Sequence, residues 1–382
     1  MNGKRVGVIL NGVTGRMGYR QHLVRSILAL REAGGVELSD GSRVVPDPLL
    51  VGRSDAKLAA IAERHGIDRW TTDLDTALGD EGNEIYFDAQ VTSARADAVR
   101  AAIAAGKHVY AEKPLAATLD EALELAGLAA AAGIRHGVVQ DKLFLPGLRS
   151  LRMLLDAGFF GRVLSVRGEF GYWVFEGDWR PAQRPSWNYR AADGGGIVLD
   201  MFAHWAYVLE MIAPVRAVTA KAVIHVPERW DEQGRRYEVT ADDAAYAIFE
   251  LDGGVIAQVN SSWCVRVHRD ELVEFQVDGT HGSAVAGLHR CVAQPRVVTP
   301  APVWDPDLPT SERFREQWQD VRPAGTADNA FRLQWEQFVR HVCEGAPLSA
   351  DFFAAARGVQ LAELGLRSSA EGRRLEVPEI SG

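Results

Sequence analysis

The chain has 382 residues, a formal net charge of −9 and 47% apolar residues. Its length exceeds that of one ordinary domain, and its apolar content excludes an intrinsically disordered protein. The negative charge disfavours a nucleic-acid binder, which needs a basic surface, so a small molecule is the expected partner. The three separated cysteines fit neither a disulfide framework nor a zinc site. Without a signal-peptide core or an apolar stretch of membrane-spanning length, we expect a cytoplasmic protein that binds no membrane.

Residues 4 to about 140 alternate short β-branched segments with longer helical patterns. This alternation predicts an α/β fold with a parallel, doubly wound sheet. The predicted strands are residues 5–10, 49–52, 84–88, 107–111 and 136–139. The predicted helices are residues 16–33, 55–65, 94–105 and 119–132, and residues 34–48 are predicted to form an inserted loop. Residues 1–142 are therefore the expected dinucleotide-binding Rossmann domain.

The pattern changes after residue 142. A predicted helix at 143–157 is followed by strand-like segments at 162–173, 215–226, 243–251, 255–263 and 272–278. Residues 143–382 are therefore expected to form an α+β domain for substrate binding and oligomerisation, built on a large, mainly antiparallel open sheet. Two late helical patterns cover residues 329–343 and 352–366, and the C-terminal helix is expected to pack on the first domain. An open sheet face usually finds a partner, so we expect a dimer or tetramer through this sheet.

A glycine-rich turn, Asn11-Gly12-Val13-Thr14-Gly15-Arg16-Met17-Gly18, follows the first predicted strand. Glycines here let the backbone turn sharply and approach a pyrophosphate held by helix N–H groups. The spacing differs by one residue from the usual dinucleotide fingerprint, and a tight turn without a ligand is the alternative. Its place after the first strand favours cofactor binding by six residues of the turn: Gly12, Thr14, Gly15, Arg16, Met17 and Gly18.

The end of the second predicted strand bears on the choice of cofactor. NAD-binding domains usually carry a carboxylate there for the ribose 2′-hydroxyl, but this chain has Arg53 and Ser54 before its first acidic residue, Asp55. A guanidinium suits a 2′-phosphate, and Ser54 adds a hydroxyl. The alternative is a surface arginine followed by a serine helix cap. We expect NADP(H) to be favoured over NAD(H).

Lys113 follows the fourth predicted strand in the segment Tyr110-Ala111-Glu112-Lys113-Pro114. It lies at the edge where doubly wound sheets bind ligands. Hydride transfer at an alcohol carbon needs a group that moves the hydroxyl proton and a donor that stabilises oxyanion charge. Lysine and histidine supply both without a metal, and no metal site is predicted. A lysine at a strand end is often only an exposed side chain, so the position needs support from elsewhere.

That support comes from a second cluster. Gly194-Gly195-Gly196 leads into an apolar helical pattern that carries Asp200 and His204 four residues apart, on one helix face. A semi-buried carboxylate there orients an imidazole and raises its proton affinity. A structural, mutually satisfied pair is the alternative. We expect Lys113, Asp200 and His204 to act on one substrate carbon.

With these motifs the chain resembles the Gfo/Idh/MocA oxidoreductases, the family of glucose–fructose oxidoreductase and inositol dehydrogenase. The resemblance rests on residues 105–114, on Glu-Lys-Pro followed by Asp-x-x-x-His, and on the two-domain order. It implies that Lys113 is the catalytic lysine, that His204 is the general acid/base and that Asp200 contacts substrate or positions the pair. A cis bond between Lys113 and Pro114 is also implied, and Glu112 and Lys113 are assigned to the cofactor site.

One segment departs from that family. Most relatives carry Thr-Pro and a histidine after the third predicted strand, whereas this chain has Gln90-Val91-Thr92-Ser93-Ala94-Arg95. Thr92 is still expected beside the nicotinamide, in altered surroundings. Gly15-Arg16-Met17-Gly18 is locally similar to dihydrodipicolinate reductases, which keeps an imine or enamine reductase open as an alternative. A catalytically silent nucleotide-binding regulator is another, although it needs none of Lys113, Asp200 and His204.

Aromatic and basic residues alternate in two segments, 172–180 and 183–190. Such a pattern occurs on nucleic-acid surfaces, but the negative net charge favours a substrate lid. Aromatic faces suit the C–H faces of sugar rings, and a loop held by its own aromatics is the alternative. The expected substrate is a sugar or polyol, and Lys142 with the lid arginines hints at an acidic or phosphorylated sugar. The predicted contacts outside the catalytic set are Gln140, Lys142, Trp173, Trp179, Arg180, Trp187 and Asn188.

Overall fold

The computed structural model describes residues 4–173, 177–180, 185–301, 305–309, 312–323 and 329–380. The chain divides into two compact units. Unit 1 comprises residues 1–144, 328–360 and 379–382, and unit 2 comprises residues 145–327 and 361–378. The first break lies close to the boundary predicted at residue 142. Residues 328–360, which the sequence analysis assigned to the second domain, belong to unit 1 because their apolar side chains join its core.

The secondary structure comprises strands, α-helices and one π-helix, together with short 3-10 turns. The strands are β1 (Lys4–Asn11), β2 (Val36–Glu37), β3 (Arg43–Val51), β4 (Trp70–Thr71), β5 (Asn83–Asp88), β6 (His108–Ala111), β7 (His136–Val138), β8 (Val163–Gly171), β9 (Val215–Val223), β10 (Glu228–Trp230), β11 (Arg236–Glu238), β12 (Ala244–Leu251), β13 (Val255–Ser262), β14 (Val273–Gly279), β15 (Gly282–Gly287), β16 (Cys291–Pro295), β17 (Gln319–Asp320) and β18 (Leu375–Glu376). The helices are the π-helix (Gly18–Leu28), α1 (Ala29–Glu32), α2 (Asp55–His65), α3 (Leu74–Gly79), α4 (Thr92–Ala104), α5 (Leu119–Ala131), α6 (Pro146–Asp156), α7 (Ile197–Glu210), α8 (Ala330–Glu344) and α9 (Phe352–Glu371).

Unit 1 is built on a parallel sheet. Within the described ranges, its parallel strands run in the order β4-β3-β1-β5-β6-β7, and the short β2 pairs antiparallel with β3. This is the strand order of dinucleotide-binding folds, in which the order reverses between β1 and β5. Ligands bind such sheets outside the carboxyl ends of the strands at that reversal. The predicted doubly wound fold is confirmed, and its ligand edge is formed by the residues that follow Asn11, Val51, Asp88, Ala111 and Val138.

Strand β3 corrects the predicted loop at residues 34–48. The strand begins at Arg43 and contains Pro46 and Pro48, which pair in register with Val6 and Val8 of β1. The Leu50 N–H donates to the Arg69 carbonyl on the side away from β1. Alternate residues of a strand point their N–H groups to the same side, so both prolines lack a donor on that outer side. There β2 and β4 pair only with the two ends of β3, and no ladder bond is lost.

Two apolar clusters cover the faces of this sheet. One joins alternate residues of β1, such as Val6 and Val8, to the π-helix and to Trp335 and Phe338 of α8. The other joins Ile9 to α4, α5 and the first part of α9. Parallel strands buried on both faces read as nearly continuous apolar runs, which is why they were visible in the sequence. The first predicted helix instead has π geometry over Gly18–Leu28.

Unit 2 is built on a mainly antiparallel sheet. In the part of the chain that the structure describes, the strand order is β17-β16-β15-β14-β8-β13-β12-β9-β18, and only β8 and β13 are paired in parallel. Helix α7 packs on one face, against β9, β12 and β13. The other face carries polar residues together with the exposed Ile248 and Ile256. The predicted fold of the second domain is confirmed, although β15 to β18 were not foreseen. None of the described helices combines the length and hydropathy that a membrane span requires.

Candidate functional site

The glycine turn lies at the reversal point of the unit 1 sheet. Gly12 has φ +80°, and a Cβ there would lie 2.7 Å from the carbonyl carbon of Ala89, which follows β5. A Cβ on Gly18 would lie 2.6 Å from the Gly12 carbonyl oxygen. Only glycine therefore allows this approach of the turn to the β5 loop. The turn exposes Thr14, Gly15 and Arg16 at the edge where a dinucleotide binds, with Met17 half-buried beside them, so these residues fit a pyrophosphate.

The end of β3 lies beside this turn. A Cβ on Gly52 would lie 3.5 Å from the Thr14 methyl group, and the next residue, Arg53, is exposed. Ser54 occupies the cap position of α2 in an extended conformation, but its side chain makes no capping hydrogen bond. The capping alternative for the hydroxyl is therefore not realised. Thr92 is half-buried at the first position of α4, after β5.

Glu112 is the most constrained residue at the end of β6. It is 8% exposed, its Oε1 lies 2.8 Å from Nε2 of His22, and its Oε2 accepts from the Lys113 backbone N–H at 3.1 Å. Burial raises the pKa of Glu112, but the His22 hydrogen bond and the nearby charges of Arg95 and Lys113 outweigh it, so the pKa lies below its usual value. An ionised carboxylate thus lies directly beside the Lys113 backbone.

Arg95 holds the other side of the Lys113 segment. The guanidinium is 3% exposed and donates to Oδ1 of Asp88 at 3.1 Å, to the Gln90 carbonyl at 2.6 Å and to the Pro114 carbonyl. Burial raises the pKa of Asp88, and the Arg95 charge opposes that rise. The Lys113–Pro114 bond is cis, as the family resemblance implied. Arg95 therefore joins the loop after β5 to the segment after β6, in the stretch that lacks the Thr-Pro and histidine expected from the family resemblance.

The residues after β7 are held by neighbours in unit 1. The backbone N–H of Gln140 donates to Oε1 of Gln334 at 2.6 Å, and the Gln140 side chain is buried. The Lys142 ammonium lies 2.7 Å from Oδ2 of Asp141. This pairing places a carboxylate beside the Lys142 charge, and the contact of Lys142 with an acidic or phosphorylated sugar stays a prediction.

In unit 2, the triple glycine forms a tight entry to α7. A Cβ on Gly195 would lie 2.4 Å from the Trp187 carbonyl oxygen, and a Cβ on Gly196 would lie 2.7 Å from Oδ1 of Asp242. Oδ2 of Asp242 in turn accepts from the Val198 N–H at 2.8 Å, which caps the helix. Burial raises the pKa of Asp242, against the lowering effect of this bond. The glycines therefore place the first turn of α7 against the Asp242 loop.

Asp200 and His204 lie on α7, as predicted. Asp200 is half-buried in the first part of the helix, and His204 is 5% exposed. Nδ1 of His204 lies 2.5 Å from the hydroxyl oxygen of Tyr207, one turn further along. This contact fixes the ring and leaves Nε2 as the nitrogen that does not face Tyr207.

The predicted lid is described in part. Residues 174–176 and 181–184 lie outside the described residues. Trp179 is 63% exposed and Arg180 stacks on its ring at 4.5 Å, while Trp187 is also exposed and Trp173 is half-buried under Arg266. Asn188 differs from this pattern.

Asn188 is buried, and its amide donates to the Pro185 carbonyl at 2.7 Å. The backbone carbonyl of Asn188 accepts from the Gly196 N–H at 2.9 Å. These bonds hold the loop before α7, and the substrate contact of Asn188 stays a prediction.

Several residues that hold the candidate site were missed in the sequence. His22, Asp88 and Trp335 are far from Lys113 in the chain, so only the fold brings them near it. Tyr207 gave a usable signal, since residues three apart are neighbours on a helix surface. Arg95 was noted only as a departure from the family pattern.

Two family models match the chain. One, described as an oxidoreductase family with an NAD-binding Rossmann fold, matches residues 41–139. The other, the GFO/IDH/MocA C-terminal domain, matches residues 148–285. One match therefore lies within each of the two predicted domains.

Named relatives give the same result. D-xylose dehydrogenase of Paenarthrobacter nicotinovorans is 60% identical over 381 residues, 98% of this chain and 98% of that protein. Levoglucosan dehydrogenase of Pseudarthrobacter phenanthrenivorans is 25% identical over 268 residues, 64% of this chain and 66% of that protein. A solved levoglucosan dehydrogenase complex with NADH and levoglucosan shares the fold, with a TM-score of 0.80 at 20% identity over 98% of this chain and 100% of that one. The chain belongs to the Gfo/Idh/MocA oxidoreductases, as its Glu-Lys-Pro and Asp-x-x-x-His motifs predicted, with an N-terminal NAD-binding Rossmann domain.

Proposed function

We propose that the protein transfers a hydride between a nicotinamide cofactor and a hydroxyl or keto carbon of a sugar or polyol. The observation that carries this proposal is the fixed Glu112-Lys113-Pro114 segment, whose backbone is held by a buried carboxylate and a buried guanidinium. The 60% identity to a protein named D-xylose dehydrogenase supports an aldose as substrate. Aromatic side chains exposed in the lid segments, Trp179 and Trp187, suit the C–H faces of a sugar ring.

Each residue of the proposed catalytic set has its own role. A bound nicotinamide cofactor supplies the hydride acceptor. In oxidation, Lys113 donates a hydrogen bond to the substrate oxygen and stabilises its developing negative charge. His204 accepts the hydroxyl proton at Nε2, with its ring oriented through Nδ1 by Tyr207. Asp200, on the same face of α7, contacts substrate or positions His204.

An absorbance screen of cofactor reduction tests this function. Wild-type protein is incubated with NAD⁺ or NADP⁺ and a panel of aldoses that includes D-xylose, together with polyols and sugar acids. We expect turnover with at least one aldose. Binding of cofactor without turnover of any panel member would favour the silent regulator. In a parallel assay with NADH or NADPH and cyclic imines, oxidation of the cofactor by an imine, without turnover of any alcohol in the panel, would favour the imine reductase.

The cofactor preference rests on Arg53. It is exposed at the end of β3, beside the glycine turn, and no carboxylate precedes Asp55 there. A guanidinium at this position binds a 2′-phosphate through charge-assisted hydrogen bonds. We therefore propose that NADP(H) is preferred to NAD(H).

Replacement of Arg53 by alanine is expected to raise the KM for NADP⁺ by about tenfold or more, because hydrogen bonds to charged groups contribute about 1.5–3 kcal/mol. The KM for NAD⁺, which lacks the phosphate, is expected to stay nearly constant. Steady-state kinetics with both cofactors measure the change, and Lys57→Ala, an exposed cation on α2, is the matched control. An unchanged preference in Arg53→Ala would remove Arg53 from the cofactor site.

We also propose that unit 2 associates with a second copy through the outward face of its sheet. This face carries Ile248 and Ile256 as diagonal neighbours, with Arg167 and Glu169 on the adjacent strand. A two-fold interface needs self-complementary patches, and apolar centres with both charges beside them meet that need.

The double variant Ile248→Glu/Ile256→Glu is expected to reduce the mass measured by light scattering after gel filtration, because like charges would then face each other across the two-fold axis. Val297→Glu, at a more exposed apolar residue, serves as the control and is expected to keep the wild-type mass. A monomeric wild type, or an unchanged mass in the double variant, would exclude this interface.

A further inference from the structure

A chain of hydrogen bonds inside unit 1 ends on the Lys113 backbone. It begins at Trp335 of α8, whose indole N–H donates to Nδ1 of His22 at 3.1 Å. It continues from Nε2 of His22 to Oε1 of Glu112, and from Oε2 of Glu112 to the Lys113 N–H. Trp335 and His22 have no role in the proposed reaction as described above. The inference drawn from them rests on the proposed role of Lys113.

The first bond of this chain fixes the state of His22. An indole nitrogen can only donate, so Nδ1 must present a lone pair to Trp335. The ring proton is then on Nε2, where it is donated to Glu112. His22 is therefore a neutral imidazole in a single tautomer, and its bond to Glu112 is a hydrogen bond from a neutral donor to a carboxylate.

The second bond fixes Glu112. The carboxylate has lost nearly all contact with water, so its oxygens need donors from the protein. His22 supplies one donor, and the Lys113 backbone supplies another. The His22 ring is itself held between Phe87 and Phe331, with centroid distances of 4.2 and 5.2 Å. Rotation of the carboxylate would break bonds at both of its oxygens.

The π-helix brings His22 to this position. Its eleven residues begin at Gly18, the last residue of the glycine turn, and π-helical segments are frequent at functional sites. The competing interpretation is that the buried triad of Trp335, His22 and Glu112 only stabilises the fold. The triad, however, ends on the residue proposed to polarise the substrate, and its carboxylate interacts with the Lys113 charge.

We propose that His22 is a positioning residue for Lys113: with its tautomer set by Trp335, it holds the Glu112 carboxylate, which holds the Lys113 backbone. Changes at His22 should then reduce the rate of the chemical step and have little effect on cofactor binding. Displacing a reacting group by about 1 Å can cost about 100-fold in rate.

The experiment compares two variants at His22. His22→Phe keeps an aromatic ring between Phe87 and Phe331 but removes both hydrogen bonds. His22→Gln keeps an acceptor for the Trp335 indole and a donor for Glu112. We expect His22→Phe to lower kcat by about 10- to 100-fold, with the Kd for NADPH changed by less than about threefold, and His22→Gln to recover most of the loss.

A double variant tests whether His22 acts through Glu112. If both act along one path, His22→Phe/Glu112→Gln should be no slower than the slower single variant, so the losses do not multiply. Losses that multiply, a kcat of His22→Phe close to that of the wild type, or equal losses in His22→Phe and His22→Gln would each overturn the inference. Thermal unfolding of every variant identifies any loss that comes from unfolded protein.

A measurement without substrate separates this inference from the proposed function. The amide resonance of Lys113 in the ¹⁵N–¹H spectrum should shift in His22→Phe and stay near its wild-type position in His22→Gln. The imidazole ¹⁵N shifts of His22 should report a neutral ring protonated at Nε2. A wild type that turns over no sugar would refute the proposed function, whereas an unmoved Lys113 resonance would refute the positioning by His22.

Discussion

Replacing Lys113 by methionine is expected to lower kcat with the best sugar substrate by about 10²–10³-fold. The side chain would keep its length but lose the only cation proposed to stabilise the developing oxyanion, and removal of one such donor costs about 10²–10³-fold. The backbone bonds to Glu112 and from Arg95 to Pro114 do not involve the lysine side chain, so the fold should persist. Steady-state kinetics measure the loss of kcat. Cofactor fluorescence titration measures any change in the Kd for NADPH.

The matched variant is Lys113→Arg. It keeps the positive charge, but its planar guanidinium cannot reproduce the compact ammonium, so we expect only a small recovery of kcat. A Lys113→Met enzyme with nearly wild-type kcat would show that another group polarises the substrate oxygen.

Replacing His204 by asparagine is expected to lower kcat for sugar oxidation by about 10²–10⁴-fold, the range over which general acid–base catalysis contributes. Asparagine keeps a polar side chain but cannot accept the hydroxyl proton near neutral pH. In the wild type, oxidation should become faster as pH rises through the range in which imidazoles lose their proton. The variant should lose this rise, and a pH–rate profile of kcat measures it.

Tyr207→Phe provides the control for His204. It removes the hydroxyl that lies 2.5 Å from Nδ1 and keeps the ring, so the proton acceptor remains but is less well oriented. We expect a smaller loss of kcat than in His204→Asn, with the pH dependence retained. If His204→Asn kept both the rate and the wild-type pH profile, the proton carrier would have to be another residue.

The segment that departs from the family pattern supplies Arg95, which holds the loop that contains Lys113. Where most relatives are expected to carry a histidine after Thr-Pro, this chain buries Arg95, which binds Asp88 and the carbonyls of Gln90 and Pro114. An arginine can satisfy three separate acceptors at once because its donors are spread around a planar fork. Arg95 is therefore hydrogen-bonded to neighbouring residues of unit 1.

Many strands, helices and motifs of this protein could be predicted from the sequence because they depend on residues that are close together in the chain. Strands β1 and β5 are buried on both faces and appear as apolar runs, and α2 begins and ends at the predicted residues. The glycine turn and the Glu-Lys-Pro and Asp-x-x-x-His motifs depend on spacing within a few residues. Backbone turns and helix faces depend on such spacing, so the candidate residues could be named from it. The alternation of strands and helices predicted the fold class, and the motifs carried the resemblance to the family.

Other features were decided only by the tertiary structure, because they depend on contacts between residues distant in the chain. Among the described strands, none pairs with the outer side of β3 at its two prolines, so the strand tolerates them, and its own residues do not reveal this. In the sequence, the Glu112-Lys113-Pro114 segment shows only a lysine at the end of a predicted strand. Folding surrounds it with His22 and Arg95, from the π-helix and from α4, and their buried hydrogen bonds hold the Lys113 backbone in one place. Sequence spacing cannot specify such partners, since burial and hydrogen-bond geometry arise only when the elements pack together.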